Sequence, residues 1–368
     1  MNPVYIAGTG VWTPSEVITN EELVQSFNRY VELFNERNAA GIEAGTVAAL
    51  TPSNAEFIEK ASGIKQRFVM EKAGILDPER MFPIFPQRAD DEVSLMAEIG
   101  VTAARQALAA AGREAADVDL VICAASNHQR PYPAIAVEIQ SALGCTGYGY
   151  DMNVACSSAT FGIEQAANAL RSGQAKRALV LGPEITSAHL EWRDRDCHFI
   201  FGDVSTAVLL ETEPSGWEIL GSKAATSFSS NIRNNAGFMN RGEPNGQEGR
   251  DKLFRQEGRK VFKEVCPMAA DHIAGHLSGL GFTPQDVRRF WLHQANLSMN
   301  QLIAKKLLDR DATLDEAPVI LDRYANTASA GSIIAFHEYK EDLAKGDLGV
   351  ICSFGAGYSI GSHVVRKV

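Results

Sequence analysis

Short apolar runs alternate with longer amphipathic stretches along the first half of the chain. VDLVICAAS (118–126), GYGYDMNV (147–154), RALVLG (177–182) and STAVLLE (205–211) are rich in apolar or β-branched residues and have turn residues close by, which predicts strands. Between them, DDEVSLMAEIGVTAARQALAAAG (90–112) has helical spacing and stops on Gly112, and Ser157 to Arg171 has it again ahead of Gly173. Glycine takes the left-handed conformation that ends a helix at little cost, so both stops are physically reasonable. Strands alternating with helices define an α/β protein.

The second half repeats the first. GREAADVDLVICAASN (112–127) and GFTPQDVRRFWLHQAN (281–296) share a Gly, an Asp-Val pair and an Asn at a constant offset of 169 residues. Further on, ACSSA (155–159) matches ASAGS (328–332), each followed by a helical stretch and a buried-looking strand, RALVLG or LGVICS. The chain therefore reads as a duplication of residues 1–212 and 213–368. Two segments, 28–55 and 70–90, have no counterpart and read as insertions, the second with three prolines and several large apolar residues. Long segments of this kind are usually functional when ordered.

Length and charge narrow the function. The 368 residues suggest about two domains at about 150 residues each. The 45 acidic against 35 basic residues, a net charge of −10, disfavour a nucleic-acid groove, which needs clustered Lys and Arg. The opening MNPVYIAGTG has neither the charged nor the apolar region of a signal peptide, and no run of about 18 apolar residues predicts a membrane span. The expectation is a cytoplasmic protein that binds neither nucleic acid nor membrane. Its six cysteines lie scattered without a C-x-x-C pair, as free thiols in a reducing compartment do.

One cysteine differs from the rest. Cys156 falls between a short strand and a helix, where unpaired N–H groups and the helix dipole favour a thiolate. A lowered thiol pKa is the expectation there. His293 ends the apolar strand FWLH just before a helix, and Asn326 precedes the helix of the repeat. All three occupy strand ends, where α/β proteins place chemistry. The turn SFGAGYSIGS (353–362) opens no βαβ unit, so a dinucleotide loop is a weak reading. A backbone N–H presented to an oxyanion suits it better.

Cys156 in NVACSSA, His293 in HQAN, Asn326 in NTASAGS and the terminal FGAG turn, in this order and over nearly the whole chain, resemble β-ketoacyl-acyl-carrier-protein (ACP) synthase III of the thiolase superfamily. The resemblance implies a five-layered αβαβα fold of two similar halves and a homodimer. It implies decarboxylative Claisen condensation of an acyl-CoA primer with malonyl-ACP, with no cofactor and no metal. Cys156 would carry the acyl group, the N–H groups of Cys156 and Ala356 would form the oxyanion hole, and His293 and Asn326 would polarise the malonyl thioester.

Further residues follow from the same resemblance. Phe57, Gly258, Phe262, Ala295 and Asn296 match substrate-tunnel positions, and Tyr132, between two prolines, matches the aromatic that floors the partner subunit's acyl pocket. The family usually has Trp and Arg where Phe57 and Ala61 stand in EFIEKASGI, and commonly Arg where Ser298 stands. The adenine contact of CoA is expected to be weakened or replaced, and the Phe-rich insertions favour a medium-chain primer over acetyl. ACP is acidic, so Arg259, Lys260 and Lys263 on one helix with Lys305 and Lys306 on another are the expected docking patch.

Three other readings carry less weight. A papain-like hydrolase has the same residue order but also a Cys-Trp motif, absent here. A non-condensing acyl-binding subunit would lack the thiol. An ACP-independent enzyme joining two acyl-CoAs head to head shares the residues and differs in carrier dependence. His272 and His276, four apart, have no nearby third metal ligand in sequence and read as surface histidines.

Overall fold

A computed structural model describes residues 2–246, 249 and 252–368. The first half runs β1 (Tyr5–Trp12), β2 (Glu16–Thr19), α1 (Asn20–Arg37), α2 (Ala39–Glu43), α3 (Ala55–Ser62), β3 (Gln66–Val69) and α4 (Lys72–Leu76). It continues with α5 (Leu95–Ala111), β4 (Leu120–Ala124), α6 (Ile135–Leu143), β5 (Tyr148–Met152), α7 (Ser158–Arg171), β6 (Arg177–Glu184) and β7 (Val204–Glu211). The second half has β8 (Trp217–Ser229), β9 (Ile232–Arg233), β10 (Arg255–Gln256), α8 (Gly258–Gly279), β11 (Val287–Leu292), α9 (Leu297–Leu308), α10 (Leu321–Tyr324), α11 (Gly331–Glu338), β12 (Leu348–Gly355) and β13 (Gly357–Lys367).

Nine strands join in the order β11-β12-β13-β8-β1-β7-β6-β4-β5. The join between halves is slight: β1 meets β8 through Tyr5–Glu218 and Ile6–Trp217, whereas β13 and β8 pair along most of their length. The sheet is therefore two mixed sheets hinged at one edge. Helices α5 and α6 cover the outer face of the first, and α8 with α9 that of the second. Helices α7 and α11 lie between the sheets, α7 touching β4 and β6 on one side and β12 and β13 on the other. The result is the expected αβαβα stack.

Side-chain chemistry explains the layers. The strands β6, β7 and β12 are buried along almost every residue, as strands covered on both faces must be. The central helix α7 presents Ala159, Ile163, Ala166, Ala167 and Leu170 to one core with Ile333, Ile334 and Phe336 of α11. Its small residues let two sheets approach one helix layer closely. No helix among the described residues is long and apolar enough to cross a membrane.

The repeat is visible in the backbone. Gly112 and Gly281 both have positive φ, +62° and +80°, and short 3-10 turns follow at Ala115–Asp117 and Pro284–Asp286. The insertions differ from expectation in their boundary, since residue 28 falls inside α1. Leu23, Phe27 and Val31 are buried at four-residue spacing there, so one apolar stripe carries the helix through. That stripe packs with Ile75, Met81, Trp192, Phe199 and Phe201 in a separate cluster beside the sheet ends.

His272 and His276 are not surface residues. They are 7% and 6% exposed and share the buried Ser362 hydroxyl, at 3.1 Å from Nε2 of His272 and 2.7 Å from Nδ1 of His276. Their helix faces β13 rather than solvent, which spacing on one helix does not reveal.

Candidate active site

The segment after β5 turns sharply into α7, and Cys156 sits in that turn, in a 3-10 stretch from Ala155 to Ser157. Ala155 has φ +48°, and its counterpart in the second half, Ala328, has +50°. An alanine in this region is strained by about 1 kcal/mol or more, and local hydrogen bonds hold it: Asn153 Oδ1 accepts from the Ala155 N–H at 2.8 Å, and Ser158 Oγ from the Val154 N–H at 2.8 Å. The FGAG turn closes over the thiol. A Cβ on Gly355 would lie 2.5 Å from Cys156 Cβ and 3.1 Å from Sγ, so only glycine fits. The N–H groups of Ala356 and of Cys156 itself lie near the sulfur and favour its thiolate form.

Those donors do not make a thiolate. Burial, and then the negative charge of Glu184, push the thiol pKa up to about 12 against the two N–H bonds. The expectation of a lowered pKa is therefore corrected: enclosure between the sheets outweighs the turn's N–H groups. Glu184 ends β6, and its carboxylate accepts from the N–H and hydroxyl of both Ser126 and Ser329. Burial still raises its pKa to about 7. It ties the β4 end to the Ser329 turn, across the two halves.

His293 follows β11 and is 2% exposed. Its backbone N–H donates to the Cys352 carbonyl at 2.8 Å, its ring meets Phe354 edge-on at 5.2 Å, and Nδ1 has no hydrogen-bond partner among the described residues. Burial lowers its pKa to about 4, so the imidazole is neutral. The neighbouring Gln294 fixes it, donating to the Leu292 and Pro318 carbonyls and accepting from the Ile320 N–H. Asn326 accepts the Ala328 N–H on Oδ1 at 2.9 Å and bridges to Phe201 through its backbone, which leaves its NH2 group as the polar end.

Two cavities meet at Cys156. The first, about 560 Å³, is lined by Cys156, His293 and Asn326 together with Phe57, Gly258, Arg259, Phe262, Ala295 and Asn296. Asn296 also caps α9, accepting from Ser298 N–H at 2.9 Å and donating to the Ala61 carbonyl at 2.6 Å, so its polar atoms serve the wall rather than the lumen. The second, about 620 Å³, continues past Cys156 and Ala356 between Val154, Phe201, Phe254 and Phe228. Tyr132 lines neither and is 81% exposed.

Sequence reasoning missed Glu184, an acid closing an apolar strand, and Arg195, whose guanidinium lies 4.2 Å over the Phe57 ring. Nothing in the run WRDRD marks Arg195, because the pairing crosses between distant segments. The basic residues of α8 and α9 are exposed, and the two helices pack together. Lys260 pairs with Glu257, and Lys305 with Asp311 at 2.9 Å. Cys123, His128 and Asp151 come close enough to share an ion, but both Asp151 oxygens accept N–H bonds at 2.8 Å from Ile135 and Ala136, which commits the carboxylate to the start of α6.

Fold and site define a condensing acyltransferase of the thiolase fold. Sequence profiles of 3-oxoacyl-[ACP] synthase III match residues 150–227 and, for its C-terminal part, 277–367. The beta-ketodecanoyl-[ACP] synthase of Pseudomonas aeruginosa is 58% identical over 349 residues, 94% of this chain and 100% of that protein. The beta-ketoacyl-[ACP] synthase III of Erythrobacter litoralis is 30% identical over 364 residues, 98% of each chain. In fold, the chain matches 3-oxoacyl-[ACP] synthase III of Aquifex aeolicus with a TM-score of 0.77 at 24% identity, covering 99% of both. It also matches OleA of Xanthomonas campestris at 0.74 and 17%, covering 99% of both. The chain belongs to the β-ketoacyl-ACP synthase III family.

Proposed function

We propose that this enzyme transfers a medium-chain acyl group from CoA to Cys156 and condenses it with malonyl-ACP. The single observation that carries the reading is that Cys156 shares one cavity with His293 and Asn326 while a second cavity with aromatic walls continues beyond the thiol. The CoA arm enters the first cavity, with Phe57 at its wall and Arg195 stacked on that ring as a platform for the adenine. That pair replaces the expected Trp and Arg contact. Cys156 Sγ attacks the thioester carbonyl, the N–H groups of Cys156 and Ala356 hold the oxyanion, and CoA leaves as the thiol, carrying the equivalent of the proton that Cys156 loses.

Malonyl-ACP then enters the vacated cavity. Its thioester oxygen accepts hydrogen bonds from neutral His293 and from the Asn326 NH2, so the enolate left by departing carbon dioxide is stabilised where its charge develops. The enolate carbon attacks the acyl-Cys156 carbonyl, forming the new C–C bond and releasing Sγ. These steps use the chain's own residues, without metal or cofactor. The medium-chain preference follows the 58% identical relative, whose name specifies a ketodecanoyl product.

The same reading makes the enzyme a cytoplasmic homodimer, with Tyr132 of each subunit closing the other's acyl cavity, and divides the chain at residues 212/213. Product analysis tests it against head-to-head condensation. Acyl-CoA with malonyl-ACP is expected to give a β-ketoacyl-ACP; a β-keto product from acyl-CoA alone, independent of ACP, favours the alternative.

Carrier docking gives a further expected outcome. Arg259, Lys263 and Lys306 make no ion pair among the described residues, unlike Lys260 and Lys305, so they dominate the local positive field. Lys263→Glu with Lys306→Glu is expected to raise the KM for malonyl-ACP by roughly tenfold at low salt, with less effect at high salt. The rate of Cys156 acylation by acyl-CoA, measured in parallel, is expected to stay unchanged.

A further inference from the structure

The cavity beyond Cys156 adjoins another cavity, and the two share part of their lining. Asn127, His189, Asn234 and Ala236 border both spaces. The far space, about 540 Å³, is lined by Phe85, Leu95 and Met96 together with Arg88, Asp90 and Arg130. It is therefore built partly from the inserted segment 70–90, whose role the condensation chemistry leaves open.

His189 is the large side chain of that shared wall, and it is held from four directions. Its Nδ1 accepts from Asn234 Nδ2 at 3.3 Å, and its Nε2, which then carries the proton, lies 3.0 Å from the Asn127 side-chain amide, whose oxygen is the atom able to accept from it. The Asn234 amide is itself fixed, accepting the Ala236 N–H on Oδ1 at 2.7 Å. The imidazole packs on the Phe201 ring at 5.5 Å, and the His189 carbonyl accepts the Phe254 N–H at 2.9 Å. Phe201 and Phe254 line the Cys156 cavity, so the wall is tied to the surface that holds the acyl chain.

We infer that His189 is a specificity-determining stop for acyl-chain length supplied by the subunit's own chain, distinct from the Tyr132 closure proposed above, and that the space behind it, separated from the Cys156 cavity by this ring, is a second acyl compartment suited to the distal end of a long-chain acyl thioester. The inference rests on the acyl-transfer reading above and deepens it. An alkyl terminus that reaches the wall meets hydrogen-bonded polar groups, and moving between them separates partners it cannot replace. Burial lowers the His189 pKa to about 4, so the ring stays neutral and the wall carries no charge to attract a polar substituent. Removing the ring opens this polar stop onto a mixed space in which Phe85, Leu95 and Met96 offer apolar surface to the chain end. Each further methylene then gains burial instead of losing it.

The test measures acylation rates of Cys156 by intact-protein mass spectrometry across even-numbered saturated acyl-CoAs. His189→Ala is expected to raise the rate of the first chain too long for the native enzyme by roughly tenfold, two methylenes' worth of burial. Ala89→Trp, which fills the far compartment from its exposed side, is expected to cancel that gain in the double variant. His189→Trp, which thickens the wall, is expected to move the optimum to shorter chains and tests the inference even where the alanine variant fails to fold. An optimum unmoved in both His189 variants, or a gain that survives Ala89→Trp, overturns it. Failure of every acyl-CoA to acylate the native protein would instead refute the acyl-transfer reading.

Discussion

Cys156→Ala is expected to abolish acyl transfer from acyl-CoA, lowering condensation by roughly 10⁴-fold or more, the scale on which loss of a covalent nucleophile is felt. No other thiol substitutes for it. Cys123, Cys197, Cys266 and Cys352 are buried and Cys145 is half-buried, all with pKa values raised by burial, and among the described cavities only the two that meet at Cys156 contain a cysteine. The same variant is expected to keep a measurable malonyl-ACP decarboxylation rate, because His293 and Asn326 remain. A second signature lies in the pH dependence. With the thiol pKa near 12, the reactive thiolate is a minor species that increases about tenfold per pH unit below that value. Acylation of the native enzyme, followed by mass spectrometry, is therefore expected to rise through the neutral range without levelling off.

His293→Ala is expected to divide the two half-reactions. Removing one preorganised donor to a developing oxyanion costs roughly 10² to 10³ in rate, and here that loss falls on decarboxylation and condensation. Acylation of Cys156, for which the proposed mechanism uses the N–H groups of Cys156 and Ala356, is expected to continue. Because burial holds the His293 pKa down to about 4, its protonation does not change at neutral pH. The malonyl half-reaction is expected to show no His293 inflection there, in contrast to the rising acylation rate. Single-turnover measurement with pre-acylated protein reads the steps apart.

The same burial has a consequence for stability. His189, His276, His293 and His363 all have folded pKa values of about 4, against about 6.5 when unfolded. The unfolded state therefore binds more protons between these values, so these groups favour folding at neutral pH and lose that contribution as pH falls from about 6.5 toward 4. Glu184 and Asp203, with pKa values raised to about 7 and about 6, act in the opposite direction.

Much of this was legible in the sequence because it depends on local rules. Strand runs, the helix stop at Gly112 and the constant repeat offset mark the two halves, and the positions of Cys156 after β5 and His293 after β11 follow from them, whereas Asn326 follows α10 and meets Phe201 only through an isolated bridge. What escaped depends on contacts between distant segments. Arg195 reaches Phe57 across 138 residues, and His189 gains its meaning only between Asn127 and Asn234. The sign of the Cys156 shift was misread for the same reason. The turn's N–H groups can be inferred locally, whereas enclosure by both sheets and by Glu184 cannot. His272 and His276 became buried because β13, far along the chain, packs on their helix.

The central claim is that one thiol carries the acyl group between two substrates. Its most direct test is a two-stage mass measurement: the protein is incubated with a medium-chain acyl-CoA, the Cys156 peptide is weighed, malonyl-ACP is added, and peptide and carrier are weighed again. The account predicts an acyl adduct on Cys156 alone, which disappears as a β-ketoacyl-ACP two carbons longer than the primer's acyl group forms. An unmodified Cys156 while the same product accumulates, or an adduct that malonyl-ACP leaves in place, would contradict it.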